Sequence, residues 1–514
     1  MKKQLLTFAF LLNLSAGAQV KFDIDFESGS VGQITQLDSV YIKTSEVDSL
    51  LHLSYFVESR FDPLNPVDTA LAPSARWFYF RMIGAKNKYI YFSFRNTDPL
   101  RAVYSYDNET FQRFEANEAK LRKISKLFEK DTVYIAYFVP YTNSYLQKRI
   151  EKWQQHRDVT LTNFGYSYHN IPMQLLTVTD KTVSDENKRI IWIHGRTHTS
   201  ETPSSWHLDG MIDALLADNE NALAYRKSFV FYIVPFTNPD GVKEGLSRSN
   251  STGVNQEINW NRNDEQTVIE VKNLKKQMTE LLAIRPFDML LNMHSQVANS
   301  ASYWLHNAKS TSEKFLQQQL LLCYLNMFEN NYLSPDELSF ADLAARYPEG
   351  WIWDNNTGDK AIAMTLETPY SYYGKSNIWV TTENLRDFGK ATLDAVAMLF
   401  RISTPNRIIL QTENAQTQGK WLKNEQDTML FICKHYLVSQ KDGNKITYQH
   451  KNLAKGQYKI YKWLVGKSGE TPVYDANKWI FISDYTQKKT ADFKYKISTK
   501  ENEFFDAIML VKSE

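Results

Sequence analysis

The sequence predicts a central α/β domain, a mixed and mostly parallel sheet with helices on both faces, flanked by N-terminal and C-terminal β-rich domains. Three observations carry that reading. An aromatic-rich pattern of period two fills the chain up to about residue 140. From about 188, short apolar strands alternate with helical stretches. After 405 the sequence turns β-like again. At 514 residues the chain also exceeds what one compact core fills, so several domains are expected.

The domains follow in order. Residues 1–18 read as an export signal: Met1-Lys2-Lys3, the apolar run Leu5 to Leu14, then the small-x-small site Ala16-Gly17-Ala18. That run is too short to span a membrane, and no other uncharged apolar stretch reaches spanning length. The expected location is therefore secreted or periplasmic. Residues 19–150 read as a β-sandwich domain. Trp77 to Arg81 and Tyr89 to Arg95 are β-prone runs joined by the turn-forming Gly84-Ala85-Lys86-Asn87, and Val133 to Val139 adds a third.

Residues 151–403 read as the α/β domain. Ile190 to Ile193, Phe229 to Val234, Met289 to Met293 and Ala361 to Leu366 are its apolar strands, with helical patterns at 204–217, 265–283 and 311–329. The second pattern sets Val268, Val271, Leu274, Met278 and Leu281 at helical spacing. Residues 404–514 read as a further β-rich domain, with runs at Ile408 to Leu410, Met429 to Ile432 and Trp479 to Ile482.

Composition excludes several classes of function. Lys plus Arg total 60 against 58 Asp plus Glu, and loss of the leader removes Lys2 and Lys3. A chain so balanced lacks the basic excess that nucleic-acid binding draws on. Cys323 and Cys433 are too few for a disulfide scaffold or a thiolate zinc site. Any metal must be held by His and carboxylates.

Candidate groups of that kind sit at strand ends. The first α/β strand runs into His194-Gly195-Arg196-Thr197-His198-Thr199-Ser200-Glu201-Thr202-Pro203. Thr202 followed by Pro203 reads as a hydroxyl N-cap with Pro at the first helical position. His198 and Glu201 then share a strand-to-helix loop and could turn onto one zinc ion. Alone, H-x-x-E fits equally a surface histidine beside a helix-capping acid. His294 ends the strand Leu290 to Met293, and Glu367 ends Ala361 to Leu366. A carboxylate at the tip of a buried strand is costly unless it is paired or faces a site. Four such groups at strand ends are much less a coincidence than any one.

These motifs together resemble the zinc metallocarboxypeptidase family. They are HTSETPSSW from His198, NPDGV at Asn238 to Val242, Asn261-Arg262, His294, and TLETPYS around Glu367, in the family's order. The segments WFYFR at 77–81 and AYFVPYTNSYL at 136–146 are similar to the β-sandwich preceding the catalytic domain in the cytosolic carboxypeptidase branch. The resemblance covers about 20 to 400 and says little about 405–514.

The resemblance implies a peptide hydrolase. His198, Glu201 and His294 would bind one Zn2+ and leave a position for water, whose pKa zinc lowers to about 7. Glu367 would be the general base. Arg248 would polarise the scissile carbonyl. Asn261 and Arg262 would grip the free C-terminal carboxylate of a peptide substrate, since a guanidinium fork matches a carboxylate. Tyr347 is the candidate for the tyrosine that closes over the terminal residue. The family's acid two residues before Asn-Arg is absent here, where Asn259 stands, and Gln256-Glu257-Ile258 reads as a small insertion. His194 competes formally with His198, but Glu201 and the PSSW helix follow His198 in family register, leaving His194 a structural role. Two other functions use the same residues: a zinc amidohydrolase of small acylated amino acids or cell-wall peptides, and a non-catalytic binder of glycan or peptide.

Overall fold

A computed structural model of the chain describes residues 20–43, 45, 48–298, 300–330, 333–373, 378–470 and 478–513. The export signal expected over 1–18 lies outside the described residues. Two compact units divide the chain, one formed by residues up to 60 and 76–137, the other by 61–75 and 138 onward.

In the first unit, period-two patterning produces two five-stranded sheets. The runs either side of Gly84-Asn87 form Tyr79–Ile83 and Lys88–Arg95, which enter different sheets. Gly84 and Asn87 both adopt positive φ (90° and 57°), the left-handed backbone that glycine and asparagine tolerate best. The inward aromatics then meet across the gap, Phe78 on Phe94 at 4.6 Å and Phe80 on Phe92 at 5.8 Å between ring centroids. That contact makes the pair a sandwich.

The second unit is built on an eight-stranded mixed sheet. Its strands are β1 (Val159–Tyr166), β2 (Pro172–Val178), β3 (Arg189–Gly195), β4 (Phe229–Val234), β5 (Met289–Gln296), β6 (Ser302–His306), β7 (Leu338–Ala341) and β8 (Ile362–Pro369). They lie in the order β1-β2-β4-β3-β5-β8-β6-β7. The central strands β4, β3, β5 and β8 run parallel. Buried on both faces, they read as continuous apolar runs, as parallel strands do. Trp192, Leu290, Val230 and Ala363 lie in a core that also takes Val271, Leu274 and Met278.

The helices are α1 (Asn143–Trp153), α2 (Thr202–Leu215), α3 (Glu220–Ser228), α4 (Pro239–Glu244), α5 (Ile269–Leu282), α6 (Glu313–Glu329), α7 (Pro348–Asn355) and α8 (Thr382–Leu399). α2 and α8 pack so closely that a Cβ on Gly389 would meet the His207 carbonyl oxygen at 2.1 Å. Buried Asp209 on α2 ties three elements together, accepting from Tyr141 Oη and Arg149 and pairing with Arg386 of α8.

Residues 407–512 fold into small antiparallel sheets around Ile446, Tyr448, Tyr458, Ile460, Phe493 and Leu510. Among the described residues, no helix is long and apolar enough to cross a membrane.

Candidate metal centre and active site

The parallel strands β3, β5 and β8 all end on the same edge, where His194, His294 and Glu367 sit. Beyond β3 the chain turns sharply at Arg196, whose φ is +58°. Its buried guanidinium donates to Thr199 O, Tyr141 O and Ser205 Oγ and so folds the 197–200 turn around itself. Burial lowers this arginine to about 9.

α2 starts differently from the sequence expectation. Thr202 is its first residue, not its cap, and the Thr202 hydroxyl has no partner. The N-cap is Glu201, which makes no side-chain capping bond because its carboxylate is engaged elsewhere. Ser295 on β5 supplies the cap instead, its Oγ accepting the Ser204 N–H at 2.9 Å.

That exchange frees Glu201 for the centre. Its Oε1 lies 2.8 Å from His198 Nδ1 and its Oε2 2.8 Å from His294 Nδ1, while Ser295 N–H donates to Oε2 at 3.0 Å. The two Nδ1 atoms face each other at 3.1 Å. One donor atom from each of His198, Glu201 and His294 falls within 4.8 Å of the others, and all three residues are buried. The outer ring nitrogens are held too, His198 Nε2 against Asn255 Oδ1 at 3.1 Å and His294 Nε2 against Glu257 Oε2 at 3.0 Å. Both partners accept, so both Nε2 atoms carry hydrogen and both Nδ1 atoms are left as donors to a cation. Two imidazole lone pairs and a carboxylate converging in a buried pocket fit zinc's ligand chemistry.

Electrostatics follow from the same crowding. Burial lowers His198, helped by the charge of Arg248. Burial also works against a charged His294, but Glu257 and Glu201 on either side hold it well above the ordinary histidine value. Burial would raise Glu201, yet the two imidazoles bring it well below the usual carboxylate range.

Glu367 stands directly opposite His294 in the parallel β5–β8 register, so both side chains leave the same face of the sheet. Its Oε2 is buried and has no hydrogen-bond partner. Burial, reinforced by the Glu201 charge, raises its carboxyl to about 8.

The other sequence candidates line the surroundings. Arg248 is exposed and sits on the wall of a cavity of about 150 Å³ together with Asn255, the partner of His198. Asn261 and Arg262 line a cavity of about 360 Å³ with Arg346 and Asp68, which none of the three His/Glu/His side chains reaches. Arg262 is paired with Asp68 at 3.6 Å. Tyr347 precedes α7, with its phenol oxygen accepting from Arg346 at 3.0 Å. His194 accepts the Trp192 indole N–H at 3.0 Å.

Sequence reasoning passed over one group of the centre. Asn259, where the family's acid was sought, ties its own loop by donating to Gln266 O and accepting from Val268 N–H. The acid that reaches the centre is Glu257, inside the apparent insertion. A 3-10 turn at Gln256–Ile258 carries it inward to His294, which brings it down to about 2 in spite of burial. Glu349 of α7 shares the amide of Asn292 with Glu257, and burial beside that charge raises it to about 7.

Comparison with known proteins agrees with this geometry. Residues 146–390 match the model of the zinc carboxypeptidase family. Human cytosolic carboxypeptidase 6 is 27% identical over 337 residues, an alignment covering 59% of this chain and 63% of that one. An uncharacterized protein of Zymomonas mobilis is 25% identical over 321 residues, covering 57% of this chain and 79% of its own. The fold is that of a metallo-carboxypeptidase from Burkholderia cenocepacia, with a TM-score of 0.57 at 22% identity over 74% of this chain and 98% of that one.

Proposed function

We propose that the chain is an exported zinc-dependent carboxypeptidase that removes the C-terminal residue of peptides, using one Zn2+ held by His198, Glu201 and His294. The observation that carries this reading is the placement of Glu367, with a partnerless buried Oε2 on the face and at the strand level of His294. A bound zinc supplies a Lewis acid that acidifies water and polarises a carbonyl.

The chain's own residues do the rest. Glu367 takes the proton of the attacking water on Oε2 and delivers it to the leaving amine. Arg248 stabilises the developing oxyanion from the rim. Arg262 and Asn261 hold the substrate's terminal carboxylate in their cavity, with Arg346 adding a second guanidinium and Tyr347 closing beside it. Leu71 lines both cavities, and Asn255 lines the Arg248 cavity together with a third, much smaller pocket that Arg262 also lines.

The test is mass spectrometry of a mixed peptide library incubated with zinc-loaded protein, beside Glu367→Gln and a chelated sample. Loss of single C-terminal residues, absent from both controls, is the expected result. An untouched library with zinc bound and the fold intact would overturn the peptide reading.

A further inference from the structure

The segment 61–75 leaves the β-sandwich after residue 60 and returns to it at 76, yet packs within the unit that holds the metal centre. Asp62, near its start, is 5% exposed. Its Oδ1 accepts the Ser247 N–H at 2.7 Å, and its Oδ2 accepts those of Arg248 at 2.7 Å and Ser249 at 2.9 Å. Three successive amides aimed at one carboxylate form an anion-binding concavity, here filled by a side chain 185 residues away in sequence.

The opposite side of the same loop is tied to the metal-ligand turn. Ser247 O accepts from Ser200 N–H at 3.0 Å, and Leu246 O accepts from Thr199 Oγ1 at 2.5 Å. Ser247 and Ser249 are buried, so Arg248 is the one residue of the three whose side chain projects outward. The segment also presses on the loop beyond: a Cβ on Gly253 would meet Leu64 O at 2.2 Å. Fixed from both sides, the Arg248 backbone has one orientation.

We propose that Asp62 is a positioning residue for Arg248, holding the 247–249 amides so that the guanidinium is aimed at the reacting carbonyl without touching substrate itself. The inference rests on the proposed carboxypeptidase reading for the role of Arg248. It gives the 61–75 segment a share in the active site, although it starts and ends in the β-sandwich.

The experiment compares zinc-loaded wild type, Asp62→Asn, Asp62→Ser, Arg248→Ala and the double variant Asp62→Asn/Arg248→Ala. Peptide kinetics are read together with amide hydrogen exchange over 246–250. Asp62→Asn is expected to lower kcat about 10- to 100-fold, part of what losing an oxyanion donor costs, with KM changed less than about twofold. In the Arg248→Ala background the same change should have almost no effect on kcat, since the two act as one unit. Exchange at 247–249 should rise while the strands β3 and β5 stay protected.

An equal loss of kcat in both backgrounds, a change confined to KM, or unaltered exchange at 247–249 would each overturn the proposal. Should Asp62→Asn melt globally, Asp62→Ser must still show the local exchange and the kcat split. If wild type cleaves no peptide, the carboxypeptidase reading fails by itself. Asp62 is then judged on exchange and on affinity for a phosphinic peptide, which both Asp62→Asn and Arg248→Ala should weaken and the double variant weaken no further.

Discussion

The metal edge of the central sheet and the C-terminal β region bury charge in opposite ways. At the sheet edge, Glu201 and Glu257 lie against His294, Glu349 stands behind them on Asn292, and Glu367 keeps an Oε2 with no partner. In the C-terminal region, buried Asp506 is met by the chain's own backbone, accepting from the N–H groups of Ile432 and Cys433. Burying a carboxylate costs several kcal/mol unless partners compensate. Asp506 is met by two of the chain's own amides. At the sheet edge the acids lie beside three residues that could hold a metal ion, an arrangement that a cation would complete.

The sharpest way to break that contrast is Glu367→Gln. The amide keeps the volume but cannot carry the water's proton. Turnover is expected to fall about 10²- to 10⁴-fold, with zinc stoichiometry and melting temperature preserved or improved. Kinetics beside metal analysis would check it, and retained turnover would make Glu367 another structural acid like Asp506.

Glu257→Gln probes the layer behind the ligands. Losing the carboxylate on His294 Nε2 removes what fixes that ring and raises its basicity, so zinc affinity should drop about 10- to 100-fold. Competition with a chromophoric chelator measures this directly. An unchanged affinity would mean that Glu257 serves Asn292 and Glu349 alone.

The two regions should also answer pH with opposite signs. Burial raises Asp506 to about 6, so its folded state holds a proton more tightly than the unfolded chain. That contribution is complete below about 4 and is lost as pH rises through 6. Burial lowers His207, stacked on Phe388 between α2 and α8, to about 3. Its contribution is complete above 6.5 and is lost as pH falls toward 3. Between pH 7 and 5 each effect is worth about 1–2 kcal/mol. Denaturant melts of Asp506→Asn and His207→Gln at both pH values should show the former losing its acid gain and the latter its acid loss; parallel shifts in both would refute the contrast.

Much of this site could be read from residues near one another in sequence. His198, Glu201, His294 and Glu367 stand where apolar strands end, a context that local patterning exposes. What stayed hidden depends on distance or on competition. Asp62 acts on a loop far along the chain, and Glu257 matters only because a 3-10 turn folds it under His294. Thr202 looked like a cap because its neighbours spell one; the structure gives the task to Ser295, on another strand, once Glu201 is drawn into the centre. Propensity describes the helix, but the metal centre decides its first residue.

The smallest predicted effect tests the outermost acid of the site. Asp68 lies 3.6 Å from Arg262, with both side chains about one-third exposed at 34% and 35%. A pair that wet is worth about 0.2–1 kcal/mol. If Arg262 receives a substrate carboxylate, Asp68 competes for the same guanidinium, and binding must first displace it. Asp68→Ala should therefore lower KM by about 1.5- to 5-fold at low salt with kcat unchanged, an advantage that fades as salt screens the original pair. Asp62→Asn, six residues earlier, should do the reverse, costing kcat and sparing KM. A rise in KM for Asp68→Ala would mean that the pair builds the cavity and does not guard it, and Arg262 would lose its claim to the peptide's end.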